Sequence, residues 1–187
     1  MIHDQPITEP SRSVGMMFQT PVLFPWRTTL ENILLPAEIF GQSKASLHDR
    51  AIELLGTVGL SEFTGAYPWQ LSGGMGQRAA LARVLLYDPT ILLLDEPFGA
   101  LDEFTREAMD LLLLRVWSET RKTIVFVTHN INEAIFVSDR VAVMTNRPGR
   151  LVRVIDVPLP RPRERSIMHT QEFADLSFEV RALLGVA

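Results

Sequence analysis

The chain of 187 residues contains no cysteine, only two lysines and no long apolar segment, and each of these absences excludes a kind of chemistry. Without cysteine there can be no disulfide, thiolate metal site or cysteine nucleophile, and this composition suits a reducing compartment. No apolar run approaches the roughly 18 residues that a membrane-spanning helix requires. The first six residues lack a basic start followed by an apolar stretch, so we expect no signal peptide.

The charge balance argues against a nucleic-acid partner. The formal net charge is −4, whereas proteins that bind nucleic acids usually present a broad positive field. The one local basic run, residues 161–165 (RPRER), is predicted to be a solvated linker. Hydrophobic residues make up 47% of the chain, which is typical of a globular domain that buries a substantial core.

Apolar runs and helical periodicities alternate along the chain. Buried strands are predicted at residues 14–18 and 124–128, a strand covered on both faces at 91–94, and further strands at 141–144 and 151–155. Helices are predicted from Thr28 or Thr29 to about Pro36, and at residues 46–58, 77–86, 103–117, 132–137 and 171–184. Strands that alternate with helices in this way indicate an α/β fold with a largely parallel sheet.

Two acidic residues, Asp95 and Glu96, directly follow the apolar strand at 91–94. They therefore lie at the carboxyl edge of the sheet, where α/β proteins keep their ligand sites. Adjacent strand residues point to opposite faces, so one carboxylate can hold magnesium while the other faces a water molecule. The alternative is a solvated acidic turn, but Pro97 and residues 99–102 (GALD) favour the magnesium site.

A Ser-Gly-Gly turn at residues 72–74 leads into a predicted helix. Unpaired backbone N–H groups and the Ser72 hydroxyl converge there, and the helix dipole favours an anion such as a phosphate. The glycines permit the close approach that a side chain would block. The alternative is an ordinary capped helix, but the position just ahead of the Asp-Glu strand favours the anion site.

Taken together, these motifs resemble the ATPase subunit of an ABC transporter, over residues 12 to about 184. The motifs that carry the resemblance are LSGGMGQR at 71–78, ILLLDEP at 91–97, THN at 128–130 followed by Glu133-Ala134, and Gln19 after its own apolar run. The resemblance implies an α/β fold like that of P-loop NTPases, with a mostly parallel sheet. It also implies an ATPase domain at 1–157, which includes a helical subdomain at about 28–87, and a linker with a short helix at 158–187.

The resemblance assigns a role to each candidate residue. Asp95 would be the metal-side acid, Glu96 the general base, His129 the switch histidine that contacts the γ-phosphate, and Gln19 the glutamine that senses magnesium and the membrane partner. The signature motif would grip the terminal phosphate of an ATP molecule held by the partner subunit. The further cofactor-binding residues would be Ser72, Gly73, Gly74, Gln77 and, from the loop at 100–102, Asp102.

The resemblance extends to a transport system. Residues 139–150 are similar to importer ATPases for nitrate, sulfonate, taurine and related anions. This implies ATP and Mg²⁺ as cofactors, and two transmembrane permease subunits and a second ATP-binding subunit as partners. A periplasmic or extracellular solute-binding protein would act indirectly, and the subunit would lie peripherally on the cytoplasmic face of the membrane. The transported solute cannot be read from this chain, because selectivity lies in other polypeptides.

The sequence departs from the family pattern in two places. Gly76 stands where the family commonly has a longer polar or basic residue. The phosphate-cradling loop G-x-x-x-x-G-K-[ST] has no match, since Ser43 precedes Lys44 and Arg121 precedes Lys122. We therefore expect an N-terminally truncated cassette whose incomplete sheet exposes a strand edge.

Two interpretations follow for the printed chain. Family sites pair one subunit's phosphate loop with the other's signature, so a heterodimer with an intact subunit could hold one complete site that uses Ser72 and Gly74. The alternative is a catalytically inactive remnant or a regulatory half-subunit that does not hydrolyse ATP alone. A DNA-repair ATPase with the same signature is disfavoured, because long heptad segments are absent from the sequence.

Overall fold

The computed structural model describes residues 11–145 and 147–185, which divide into two compact units. The first unit runs through Thr105 and includes Lys122–Val125, and the second comprises Arg106–Arg121 and the chain from Phe126 onward. The domain boundary proposed between residues 157 and 158 does not coincide with this division. Among the described residues, no helix is both long and apolar enough to cross a membrane.

The first unit contains the sheet that carries the acidic motif. Strand β1 (Val14–Met17) pairs in parallel with β2 (Ile91–Asp95), with Val14 opposite Ile91. Strand β3 (Thr123–Val127) follows β2 in the sheet order, and its last residues, Phe126 and Val127, are assigned to the second unit. The three strands agree with the predicted runs to within one residue at each end. Because β1 and β2 are parallel, the residues after both strands meet at one edge of the sheet.

Four helices of the first unit lie between β1 and β2: α1 (Thr29–Ile33), α2 (Leu35–Ile39), α3 (Lys44–Thr57) and α4 (Gly73–Leu86). Helix α4 packs directly on β1 at Gly15. A Cβ built on Gly15 would lie 2.6 Å from Cγ1 of Val84, so only glycine allows this approach. The core of this unit is largely aliphatic, and its most buried side chains include those of Ile33, Leu55, Leu60, Leu81, Leu92, Leu94 and the aromatic Phe98.

The starts of the first three helices can be compared with the predictions, and two of them differ. A capping box between Thr28 and Glu31 begins α1, so Thr28 is the cap of the two candidates, and Pro36 lies at the second position of α2 where it was predicted to end or bend the first helix. Helix α3 begins at Lys44 instead of Ser46, and the Ser46 hydroxyl donates to the carbonyl of Ser43. The cap therefore lies one turn earlier than the apolar periodicity indicates.

Helix α5 (Glu103–Thr120) begins in the first unit and continues into the second, three residues beyond its predicted end at Trp117. The second unit adds α6 (Ile131–Val137), the strands β4 (Arg140–Met144) and β5 (Leu151–Asp156), and α7 (Gln171–Leu184). Strands β4 and β5 form an antiparallel pair with an irregularity between Val143 and Met144. The core of this unit consists of Leu114, Ile135, Phe136, Val141, Val143, Ile155, Val157, Leu159, Phe173 and Val180.

The basic run at 161–165 is not a solvated linker, and that prediction is wrong. Arg163 is only 5% exposed, and its guanidinium donates to backbone carbonyls that include those of Ile135, Phe136 and Ser138. Arg161 lies over the ring of Trp117, with its guanidinium carbon 3.9 Å from the ring centre. The run binds the last carbonyls of α6, because helix ends leave these groups without partners.

Candidate functional site

The turn at 72–74 forms the start of α4, four residues earlier than the predicted start at Gln77. Ser72 is the N-cap, and its hydroxyl accepts a hydrogen bond from the N–H of Met75 at 3.2 Å. Ser72 and Gly73 are exposed. The start of α4 therefore presents backbone N–H groups to solvent, the arrangement that favours an anion at the positive end of a helix dipole.

Gly74 brings the start of α4 against the loop that follows the acidic motif. A Cβ on Gly74 would lie 2.9 Å from Cδ2 of Leu101 and 3.8 Å from Cγ2 of Thr105. In the same loop, the Asp102 carboxylate accepts hydrogen bonds from the hydroxyl and the N–H of Thr105, at 2.6 and 3.0 Å. These bonds hold the pKa of Asp102 below its usual range. Asp102 thus caps α5, and its contact with a nucleotide remains a prediction.

The two acids after β2 lie at the exposed edge of the sheet. Asp95 is exposed, and Glu96 is half-buried with a backbone φ of +44°. A residue other than glycine rarely adopts this left-handed conformation, and such strain concentrates at functional sites. The Gln19 side chain, which follows β1, donates to Oε2 of Glu96 at 3.1 Å. The parallel register thus brings together two of the predicted site residues, which are 77 positions apart in sequence.

Gln77 is placed differently from its predicted role as a cofactor-binding residue. Its side chain is 1% exposed, and the amide nitrogen donates to the backbone carbonyl of Gln19. A side chain so buried does not offer its amide to a nucleotide. Gln77 instead fixes the loop that carries Gln19, which corrects the prediction.

Magnesium prefers oxygen ligands, and it commonly takes one or two protein groups together with water and phosphate oxygens. Asp95 offers an exposed carboxylate at the sheet edge. Because the Gln19 amide nitrogen donates to Glu96, its carbonyl oxygen is the atom suited to a metal. In the described part of the chain no group of three or more acidic or histidine side chains is arranged to hold a metal. These two residues therefore fit a magnesium ion that takes most of its ligands from phosphate and water.

His129 follows β3 and belongs to the second unit, where it is exposed. The turn around it is held by polar side chains: the Thr128 hydroxyl bonds to Glu133 and accepts from the N–H of Asn130. The Asn130 side chain in turn accepts from the N–H of Glu133 and caps α6. This network fixes the backbone on both sides of His129, and the approach of His129 to Glu96 remains a prediction.

Two groups near these motifs were not predicted from the sequence. Arg83 of α4 donates to the carbonyls of Pro21 and Val22, and Asp110 of α5 is 3% exposed close to Glu133. For Arg83, a charged residue among the apolar residues of its helix was the available signal, whereas Asp110 follows Arg106 and Glu107 by one turn and gave none. Neither position belongs to a motif.

Comparison with known proteins identifies the family of the chain. The family profile described as "ABC transporter" matches residues 1–99, and the chain belongs to this family. The taurine import ATP-binding protein of Rhizobium johnstonii is 44% identical over 183 residues, which cover 95% of this chain and 70% of that protein. An aliphatic sulfonates import ATP-binding protein of Bacillus cereus is 45% identical over 172 residues, covering 92% of this chain and 67% of that protein.

A solved structure has the same fold. It is a dimeric ATP-binding cassette in a post-hydrolysis state with ADP and Pi, 37% identical to this chain, and it superposes with a TM-score of 0.70. The match covers 79% of this chain and 64% of the solved one. The chain thus spans about two thirds of the length of the proteins it matches, between 64% and 70% for these three.

Proposed function

We propose that the chain is the ATP-binding subunit of an ABC importer and that it energises the uptake of a small anion such as taurine, a sulfonate or nitrate. Support comes from relatives named as import ATP-binding proteins for taurine and for aliphatic sulfonates. Permease subunits in the membrane would be its partners, with a solute-binding protein acting indirectly, and the subunit would lie on the cytoplasmic face.

The observation that carries this proposal is the hydrogen bond from Gln19 to Glu96 at 3.1 Å. It places an amide and a carboxylate beside the exposed Asp95 at one sheet edge. There Asp95 and the Gln19 carbonyl would hold Mg²⁺, which neutralises phosphate charge when bound. Glu96 would accept a proton from water and Gln19 would orient that carboxylate, while His129 would contact the terminal phosphate.

The start of α4 would serve a different site, the one that a second ATP-binding subunit builds around its own phosphate loop. The exposed residues Ser72 and Gly73 and the half-buried Gly74 open this helix, and their backbone N–H groups suit the terminal phosphate of an ATP molecule held by a second ATP-binding subunit. The partner subunit would supply the phosphate loop, whose G-x-x-x-x-G-K-[ST] pattern does not occur in the printed sequence. In such a pair, Ser72 and Gly74 of this chain would complete the partner's site.

A complementation assay tests this function. A cassette of the same family that carries the phosphate loop is inactivated by replacing its own signature serine, and its ATP hydrolysis is measured with and without this chain. We expect the chain to restore hydrolysis. Only in the mixed pair does the phosphate loop of the cassette face an intact signature motif, which this chain supplies. Ser72→Ala should lower the restored rate by about tenfold or more, since it removes a hydroxyl aimed at the transferred phosphate.

The matched control is Thr170→Ala, which removes the N-cap hydroxyl of α7. Both substitutions cost the helix about 1 kcal/mol of capping energy, but Thr170 lies far along the chain from the signature. The control should restore hydrolysis like the unchanged chain. If the folded chain restores none, the proposed function is wrong and the regulatory half-subunit is favoured.

A further inference from the structure

The loop after β1, residues 19–22, is held by side chains of α4 at three backbone carbonyls. Gln77 donates to the carbonyl of Gln19. Arg83 donates through Nη2 to Pro21 at 3.0 Å and through Nη1 to Val22 at 2.8 Å. Since the donors come from a rigid helix, the loop has little freedom to move relative to α4.

The loop does not adopt this shape by local preference. Val22 has a φ of +43°, and its side chain is 55% exposed. A β-branched residue in the left-handed region is strained, and such a conformation persists only when surrounding contacts enforce it. The two nitrogens of Arg83 bind the carbonyls on both sides of the Val22 Cα atom and so supply that constraint.

Gly76 lets α4 approach the loop this closely. A Cβ on Gly76 would lie 3.2 Å from Cγ of Pro21, a contact that forces the neighbour to yield. Gly76 is one of the two places at which the sequence departs from the pattern of the family that it resembles. The loop occupies the space that a side chain at position 76 would take. Gln77, at the next position of the helix, donates to the Gln19 carbonyl.

We propose that Gln77 and Arg83 are positioning residues that hold Gln19 where its side chain meets Glu96. The start of α4 and the loop that carries Gln19 then move as one body, so a displacement of the signature turn relative to Glu96 breaks the hydrogen bond between Gln19 and Glu96. This inference rests on the proposed function for its meaning in catalysis, but the structural claim stands on the bonds alone.

Nuclear magnetic resonance tests the claim without nucleotide. In protein labelled with ¹⁵N at glutamine, the side-chain amide peaks of Gln19 are assigned by their loss in Gln19→Leu. Their positions in Glu96→Ala, where the acceptor is absent, define the unpaired amide. We expect the Gln19 peaks of Arg83→Met and of Gln77→Leu to move to those unpaired positions.

Arg78→Met is the matched control, because Arg78 lies on the same helix and donates to carbonyls of another loop, at Val58 and Gly59. It should leave the Gln19 peaks unchanged. Arg83→Lys keeps the charge and one donor, so it should retain part of the paired signal and serves if Arg83→Met does not fold. Unchanged Gln19 peaks in folded Arg83 and Gln77 variants would overturn the proposal, whatever the complementation assay shows.

Discussion

Asp110→Asn is expected to stabilise the protein above neutral pH and to remove most of the decline in its stability between about pH 4 and 8. Burial, and secondly the carboxylate of Glu133, raise the pKa of Asp110 from 3.8 to about 8. Arg106 opposes this rise but does not cancel it. Asp110 is therefore protonated in the folded protein at neutral pH and would have to ionise in a buried site at higher pH.

The sign follows from proton binding. Between the unfolded pKa and the folded pKa, the folded state binds a proton that the unfolded state has lost, so stability falls as the pH rises. The stability that comes from the proton on Asp110 is fully present below about pH 4 and is lost by about pH 8. Asparagine stays neutral with nearly the same shape, so at pH 8 we expect a gain of roughly 1–3 kcal/mol, the usual cost of a poorly satisfied buried group.

Urea unfolding at pH 5, 7 and 8.5 measures the effect. The control is Asp49→Asn, which changes a fully exposed carboxylate on α3. We expect the control to follow the unchanged protein at every pH. An Asp110→Asn variant with the same pH dependence as the unchanged protein would show that Asp110 does not carry the proton.

Arg163→Met is expected to cost the second unit about 2–4 kcal/mol of unfolding free energy, because it leaves several buried carbonyls without a donor. In addition to the carbonyls at the end of α6, Nη2 of Arg163 donates to Val157 at 3.4 Å and Leu159 at 3.5 Å. Burial lowers the pKa of Arg163 to about 10, and the guanidinium stays charged at neutral pH. Methionine fills similar space but donates nothing.

Arg161→Met is the control for this prediction, as Arg161 comes from the same run but is 21% exposed, contacts Asp139 and Trp117, and donates to one carbonyl, that of Val137. Each contact of this partly exposed kind contributes about 1 kcal/mol, so the control should lose less stability than Arg163→Met. The unfolding temperature of Arg163→Met should therefore lie clearly below that of Arg161→Met. An equal loss of stability in the two variants would mean that the buried carbonyls find other donors when Arg163 is replaced.

The sequence predicted the parts of the fold that depend on local pattern. Apolar runs located β1, β2 and β3, and parallel pairing explains why Gln19 meets Glu96 although 77 positions separate them. The start of α4 was missed because three glycines lower helix propensity there, while the Ser72 cap and packing against Leu101 outweigh that cost.

Contacts between distant side chains and backbone carbonyls could not be predicted. Gln77 was assigned to the nucleotide because the family motif includes it, but burial turns its amide toward the Gln19 carbonyl. Arg163 was predicted to be exposed, as part of a solvated linker, because arginine is usually exposed. In both cases the deciding partner is a main-chain carbonyl, which carries no signature in the sequence.

The central claim is that this polypeptide closes over an ATP molecule that a second subunit has bound. Sedimentation of this chain with a loop-bearing cassette, in which the catalytic glutamate and the signature serine are both replaced, tests it most directly. We predict a one-to-one complex that forms with MgATP and disappears with ADP or without nucleotide, and no saturable MgATP binding by this chain alone. Micromolar MgATP binding by the chain alone, or a complex that forms equally well with and without nucleotide, would contradict the claim.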